Sequence, residues 1–204
     1  IYFPNPSIDM SKKIKFKKKL NRNFNILYAG NLGESQNFEK IVEVAKKLLG
    51  KKIIFKIIGG GNKYFWLKKK IKDEKIKNII LLNNLAFQKI PNYYKEADCL
   101  MVSLRNKKFL NMTIPSKLQN YLSARKPILS ICGGETKKII EQNNCGLSID
   151  NMSIKKMSYE IFSFSKKNKK TLNNMSRRGY KFFKKNFEIS SSKRKFYHIL
   201  NNEK

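Results

Sequence analysis

A doubly wound parallel α/β sheet is the fold class this sequence predicts, and three observations carry that prediction. Six short apolar runs recur between residues 24 and 149, helix-spaced segments separate them, and the runs lack alternation of polar and apolar residues. Strands covered on both faces lose that alternation because each side of the pleat meets apolar neighbours. Strands that alternate with helices give a parallel, Rossmann-like sheet, here of about six strands.

The elements follow in order. Phe24–Ala29 is an apolar run that ends in Gly30-Asn31-Leu32-Gly33. Phe38–Leu49 carries Phe38, Ile41, Val42, Ala45, Leu48 and Leu49 at helical spacing. Ile53–Ile58 is the second expected strand and stops at three glycines, Gly59 to Gly61. A helix over Lys63–Lys72 leads to a third strand, Ile79–Leu82, and a short helix, Ile90–Ala97, leads to a fourth, Cys99–Leu104. Ser116–Ala124 reads as a helix, Pro127–Ile131 as a strand, Thr136–Asn143 as a helix and Gly146–Ile149 as the sixth strand. Beyond Asp150 the strands stop, and Ser153–Ser165, Thr171–Asn186 and Ser190–Leu200 read as trailing helices. Upstream, Pro4 and Pro6 fix an extended segment, and Lys12–Lys19 is a charge run that reads as a solvated loop. The domain therefore spans residues 24–204, with residues 1–23 as linker and basic loop.

Composition narrows the function classes. A chain of 204 residues, 41% of them hydrophobic, suits one domain with a sizeable core and excludes a disordered basic tail. No apolar run approaches the roughly 20 residues of a membrane span, and no signal peptide is present. The chain opens at Ile1 rather than Met, so a fragment lacking an upstream domain is expected. Cys99, Cys132 and Cys145 are far apart and read as reduced core thiols of a cytoplasmic protein. One histidine, His198, is too few for a metal site or a Ser-His-Asp triad, and no metal is expected. The net charge of +31 invites a nucleic-acid partner. Lysine, asparagine and isoleucine are abundant together, as in AT-rich genomes, and the lysines spread over every expected helix. Diffuse charge of this kind favours drift over specific nucleic-acid binding, and still attracts anionic lipid headgroups.

Ligands of such sheets bind at the carboxyl ends of the strands. Three loops there carry unusual residues. In Gly30-Asn31-Leu32-Gly33-Glu34-Ser35-Gln36 the glycines allow backbone N–H groups to approach a phosphate, or simply form a tight turn. In Thr113-Ile114-Pro115-Ser116-Lys117, Ser116 is placed to cap a helix and Lys117 lies in its first turn. A cation is unfavourable at that positive helix end unless an anion sits there. In Gly133-Gly134-Glu135-Thr136, Glu135 either accepts hydrogen bonds from sugar hydroxyls or caps the following helix.

In family order, these pieces resemble the retaining family 4 glycosyltransferases of the GT-B fold. Tyr2-Phe3-Pro4-Asn5 is similar to the linker leaving the N-terminal domain, and Tyr28-Ala29-Gly30-Asn31-Leu32-Gly33 to the first phosphate loop. Ile57-Ile58-Gly59-Gly60-Gly61 and Ile90-Pro91-Asn92-Tyr93-Tyr94-Lys95-Glu96-Ala97-Asp98 resemble later segments. Pro115-Ser116-Lys117-Leu118-Gln119-Asn120-Tyr121-Leu122 followed by Lys126-Pro127-Ile128 is the most specific match. The likeness covers nearly the whole chain. It departs at Met112 and Asn120, where many members carry two glutamates, at Asn31 in place of a loop arginine, and at Arg125 in place of a glycine.

The resemblance implies one half of a GT-B enzyme. It places Gly33, Ser116 and Lys117 near a diphosphate, Thr113 and Glu135 near the sugar, and backbone near Asn84 and Leu85 at the base, with Gly30, Asn31 and Gln36 also in the donor site and Asn120 able to hydrogen-bond a ribose hydroxyl. It implies a UDP-sugar donor, here of an N-acetylated amino sugar, and a lipid-linked or polysaccharide acceptor for surface polysaccharide synthesis. No cofactor is implied. The acceptor and the acid or base would lie in a separate N-terminal domain, so this half alone would be inactive. The protein would be cytoplasmic, in peripheral contact with an anionic membrane. A GT-B sugar epimerase and a basic nucleic-acid-binding protein are the rival readings. In the GT-B fold the last helix crosses to the other domain, so part of the set Phe182, Phe183, Phe187, Phe196 and Tyr197 is expected to be exposed.

Overall fold

The six apolar runs pair into one sheet. β1 (Phe24–Ala29), β2 (Ile53–Ile58), β3 (Ile79–Leu82), β4 (Cys99–Ser103), β5 (Ile128–Ile131) and β6 (Gly146–Ser148) are all parallel, in the order β3-β2-β1-β4-β5-β6. The computed structural model describes residues 6–14 and 23–202. The chain winds from β1 outward through β2 to β3, then returns to the other side of β1 for β4. That reversal is the topological switch point, where doubly wound sheets open a crevice at their carboxyl edge.

Burial explains why the strands lack alternation. In β1, Ile26 and Tyr28 enter one core, while Leu27 and Ala29 enter the other. β4 divides the same way, with Cys99 and Met101 on one face and Leu100 and Val102 on the other. The first core is covered by α1 (Phe38–Lys47), α2 (Tyr64–Asp73) and α7 (Ile154–Ser165), through residues such as Phe38, Leu67 and Phe164. The second is covered by α3 (Ile90–Glu96), α5 (Ser116–Ser123), α6 (Gly134–Gln142) and α8 (Lys169–Asn186), through Tyr94, Leu118, Ile140 and Phe183. The three cysteines are buried, as the sequence predicts. No helix among the described residues is long and apolar enough to cross a membrane.

Helix boundaries follow side-chain chemistry. Ser153 accepts from the Lys156 N–H at 3.3 Å, which starts α7 at Ile154. Asn168 accepts from the Thr171 N–H at 2.9 Å, so α8 starts at Lys169 and not at Thr171 as expected. α9 (Ile189–Asn202) closes the chain. The stretch between β4 and α5, expected as loop, contains a one-turn helix, α4 (Lys108–Asn111). Short 3-10 turns at Glu34–Gln36 and Phe87–Lys89 also escape the sequence pattern, since neither is long enough to show a period.

The expected loop at Lys12–Lys19 is corrected where it is described. Met10–Lys13 form a 3-10 turn, and Met10 and Ile14 are buried in the second core beside α5. Asp9 holds this turn, accepting from the Ser11 N–H at 3.0 Å and from the Tyr180 hydroxyl at 2.7 Å. The rest of that run, 15–19, and the linker residues 1–5 lie outside the described residues. Among the late aromatics, Phe183 and Phe187 are buried and Phe182 is half-buried, while Phe196 and Tyr197 are 51% and 64% exposed.

β1 and β4 pair in register only at Ile26 with Cys99 and Leu27 with Leu100. Beyond that they part, and the backbone of Ala29, which points to the β4 side, has no strand to bond. The Tyr121 hydroxyl fills the gap: it accepts from the Ala29 N–H at 2.8 Å and donates to the Ala29 carbonyl at 3.0 Å. Tyr121 is fully buried. Tyr121→Phe strands both groups, and urea unfolding is expected to show a loss of about 1–3 kcal/mol. A loss within experimental error would show that the hydroxyl is dispensable.

Candidate functional site

The crevice lies where β1 and β2 end. Gly30 follows β1 with φ 143° and Gly59 follows β2 with φ 154°, conformations closed to other residues without strain. A Cβ on Gly59 would sit 1.9 Å from the Gly30 carbonyl oxygen, and a Cβ on Gly30 would sit 2.3 Å from Lys117 Cε. The two glycines let both strand ends and the lysine share one small volume. Above them opens a cavity of about 330 Å³, lined by Gly30, Gly59, Asn84, Leu85, Ser116, Lys117 and Asn120 and walled on one side by Phe87, Ile90 and Tyr94. None of its lining residues is acidic.

Lys117 dominates the electrostatics. It lies in the first turn of α5, and no ion pair to it forms among the described residues. Its ammonium sits 5.1 Å from the centroid of the Tyr28 ring, a cation–π contact. Burial pushes its pKa below the ordinary lysine value. The N-terminal half-charge of α5 disfavours it further. The expected cap is corrected: Pro115 holds the cap position, and Ser116 is the first helical residue with an exposed hydroxyl. A proline side chain bonds no N–H; the Leu118 N–H donates to the Pro115 carbonyl at 2.9 Å, and the N–H groups of Ser116 and Lys117 find no partner within the helix. A half-buried cation without a carboxylate partner, a helix N-terminus and two unbonded N–H groups together make a receptor for an anion with several oxygens.

The first loop is arranged differently from the sequence expectation. The Gly33 N–H donates to Gln36 Oε1 at 2.8 Å, so these two expected donor-site residues bond each other. The Asn31 carbonyl accepts the Tyr28 hydroxyl at 2.5 Å. The loop is clamped from β4's side by Arg105, a residue the sequence did not single out. Its backbone N–H donates to the Ser35 carbonyl at 2.7 Å, and its Nε donates to the Glu34 carbonyl at 2.6 Å. Its guanidinium also reaches Glu39 at 2.8 Å, and Lys63 joins the cluster at 3.0 Å from Glu34 and 2.8 Å from Glu39. No sequence pattern marks Arg105, because its partners lie in a loop and a helix about 70 residues earlier.

The remaining expected residues separate into two groups. Asn84, Leu85 and Asn120 line the cavity with Lys117. The Asn120 Oδ1 accepts the Ser7 hydroxyl at 2.5 Å, so its amide NH₂ is the group it can offer a ligand. Thr113 and Glu135 share the carboxyl edge but are not in the lining. The Thr113 hydroxyl donates to the Leu110 carbonyl at 2.8 Å, and Glu135 pairs with Lys138 at 2.7 Å. Glu135 does not cap α6, since Gly133 holds that position. Lys126, in the Lys126-Pro127-Ile128 turn, donates to the carbonyls of Lys95 at 3.0 Å and Ala97 at 2.6 Å, at the end of α3.

Known proteins resemble this chain in sequence and in fold. The family model described as Glycosyl transferases group 1 matches residues 10–182. The WcaI protein of Escherichia coli (strain K12), named as a colanic acid biosynthesis glycosyl transferase, is 32% identical over 98 residues, 48% of this chain and 24% of WcaI. The chain thus matches about a quarter of that relative's length. The C-terminal domain of the group 1 family glycosyl transferase LpcC from Francisella tularensis has a TM-score of 0.64 at 15% identity, covering 91% of this chain and 96% of that one. Anabaena HepE in complex with UDP-glucose has a TM-score of 0.72 at 11% identity, covering 89% of this chain and 49% of HepE. A mutant of S. aureus TarM in complex with fondaparinux, alpha-GlcNAc-glycerol and UDP has a TM-score of 0.71 at 14% identity, covering 92% of this chain and 38% of TarM. At these identities the likeness is one of fold, the Rossmann-like half of GT-B.

In the absence of an anion, Lys117 is a local liability. Replacing it by Met is expected to leave the unfolding free energy unchanged or to raise it by about 0.3–1 kcal/mol at neutral pH. Because its folded pKa is lowered, the unfolded chain binds more protons at pH values between the folded and unfolded pKa. Stability therefore rises with pH across that alkaline window, and the penalty is fully present below it. Lys117→Met removes this part of the rise. Urea unfolding of both proteins across the alkaline range checks it, and parallel curves would contradict the assignment.

Proposed function

The chain belongs to the group 1 glycosyl transferases, and from that premise we propose that its cavity holds the diphosphate of a nucleotide-sugar donor for sugar transfer. The observation that carries the reading is Lys117, half-buried, without an ion pair among the described residues, in the first turn of α5 and facing a cavity without carboxylates. A diphosphate between sugar and nucleoside gains negative charge as the sugar departs. Lys117 and the first-turn N–H groups meet that charge where it grows, so they stabilise the transition state more than the bound donor. The nucleoside extends along the other wall, with Leu85, Phe87 and Ile90 as apolar surface for the base and Asn84 and Asn120 as polar contacts.

The finer reading is a retaining family 4 transferase using a UDP-sugar of the N-acetylated type. TarM and HepE were both held with UDP or a UDP-sugar, and the TarM complex contained alpha-GlcNAc-glycerol. WcaI is named for colanic acid biosynthesis, which supports a polysaccharide or lipid-linked acceptor. The cavity is lined by no carboxylate and no histidine that could act as acid or base on an acceptor. We therefore place the acceptor site in a second α/β domain facing this edge, and expect residues 1–204 by themselves to bind donor without transferring sugar.

Calorimetric titration of UDP at near-physiological salt tests the site. Lys117→Ala is expected to weaken binding by about 1.5–3 kcal/mol, the size of charge-assisted hydrogen bonds. The exposed Lys155 on α7 is the control, and Lys155→Ala is expected to change little. Equal losses in both variants would mean that diffuse charge alone attracts the nucleotide, and the site assignment would fall.

A further inference from the structure

A second cleft opens on the opposite edge of the sheet, where the strands begin. It measures about 470 Å³ and is lined by Arg125, Asn173, Ser176, Arg177, Tyr180 and Lys181. Arg125 stands in the turn between α5 and β5. The other five lie on α8 at spacings of three and four residues, which puts them on one face of that helix. The Arg125 guanidinium stacks on the Tyr180 ring at 4.0 Å from its centroid. That contact holds the planar fork in place and leaves its edge to the cleft.

Three cations meet here without a counter-ion. Arg125, Arg177 and Lys181 form no ion pair among the described residues. The nearby carboxylates are already engaged, Asp9 with the Tyr180 hydroxyl and Ser11, and Glu188 with Lys184. Compositional drift toward AT-rich codons accounts for lysines anywhere on the surface. It does not account for arginines, of which the chain has six, two of them converging on this cleft with a lysine and the Asn173 amide. Guanidinium groups match the oxygens of a phosphate in pairs, which a lysine cannot do.

We propose that this cleft binds a phosphate group, carried either by a small soluble ligand or by a phospholipid headgroup. The site is separate from the Lys117 cavity and stands whether or not that cavity holds a nucleotide. Arg125 and Arg177 grip the phosphate oxygens, Lys181 adds charge, and Asn173 supplies a neutral donor.

The side-chain Nε resonances of the arginines report each site separately. Titration with inorganic phosphate at near-physiological salt is expected to shift Arg125 and Arg177 saturably. Arg178, whose Nε already donates to the Asn144 carbonyl at 2.9 Å, should stay still. In a second arm the chain is sedimented with vesicles of phosphatidylcholine alone and of phosphatidylcholine with phosphatidylglycerol. Arg125→Gly and Arg177→Ala are each expected to weaken the responding probe about tenfold, the loss of one charge-assisted contact. Arg125 has φ 53°, a left-handed conformation that glycine adopts freely, so Arg125→Gly should keep or raise the melting temperature. Lys155→Ala should match the unmodified chain in both arms. Saturable shifts with free phosphate assign a soluble ligand. Retention on phosphatidylglycerol vesicles that drops in both arginine variants, without a phosphate response, assigns a headgroup. Shifts that never saturate and spread equally over all arginines, with vesicle retention equal in Arg125→Gly and Lys155→Ala, would overturn the proposal.

Discussion

The parting of β1 from β4 is the constraint on which the rest of the structure depends. Two strands that stay paired along their length leave no space between their ends. Here the register stops after Leu27 and Leu100, and the open backbone of Ala29 must find a partner in a dry interior. The Tyr121 hydroxyl supplies both a donor and an acceptor to one residue, and the ring that carries it stacks edge-on against Tyr94 at 5.6 Å. This fixes α5 against the end of β1. Lys117 sits one turn before Tyr121 on the same helix, so the bond that closes the sheet also sets the lysine over Gly30. The fold and the site share a single anchor.

The electrostatics of the cavity follow from that anchor. A lysine in the first turn of a helix, over an aromatic ring and without a carboxylate, is held in a place it would not choose alone. Tyr28 compensates in part through its ring face, while its hydroxyl bonds Asn31 and shapes the loop. An enzyme that neutralised Lys117 with a carboxylate would be more stable and would greet an incoming diphosphate with an ion pair to break. Leaving the cation unmatched by a carboxylate directs its charge at the cavity. The Arg105 cluster does the reverse: four charges satisfy one another and hold the loop still, at the rim where mobility would blur the cavity.

The sheet was legible because its signal is collective. Six apolar runs, each covered on both faces, cannot be confused with solvent-facing strands, and β1 shows the reason in its alternating commitment of Ile26 and Leu27 to opposite cores. Lys117 was legible as well, because a cation at a helix N-terminus contradicts a local rule, and such contradictions mark sites. Local hydrogen bonding was not. Whether Gly33 offers its N–H to a ligand depends on the rotamer of Gln36, and whether Asn120 offers its oxygen depends on Ser7, more than a hundred residues away. Arg105 was invisible for the same reason. A clamp built from carbonyls of Glu34 and Ser35 leaves no mark on the residue types involved, since any sequence supplies carbonyls.

The net charge of +31 divides into two kinds of cation once positions are known. Most lysines are spread over solvated helix faces such as Lys155 and Lys156 on α7, or closed into pairs such as Lys69 with Asp73. Screening at physiological salt limits what such charges do beyond about 8 Å. Two of the cations held over an aromatic ring also line a cavity: Lys117 over Tyr28 at the carboxyl edge, and Arg125 over Tyr180 at the amino edge. In both cases an aromatic ring takes the role of counter-ion. A ring orients a cation without cancelling its charge, so the field remains directed at the open side of each cavity. In a chain so rich in positive charge, the partner of each cation discriminates better than its presence: Lys51 and Lys166 also lie over a ring, that of Phe162, but only a ring-held cation that faces a cavity has its field directed at a ligand-sized space.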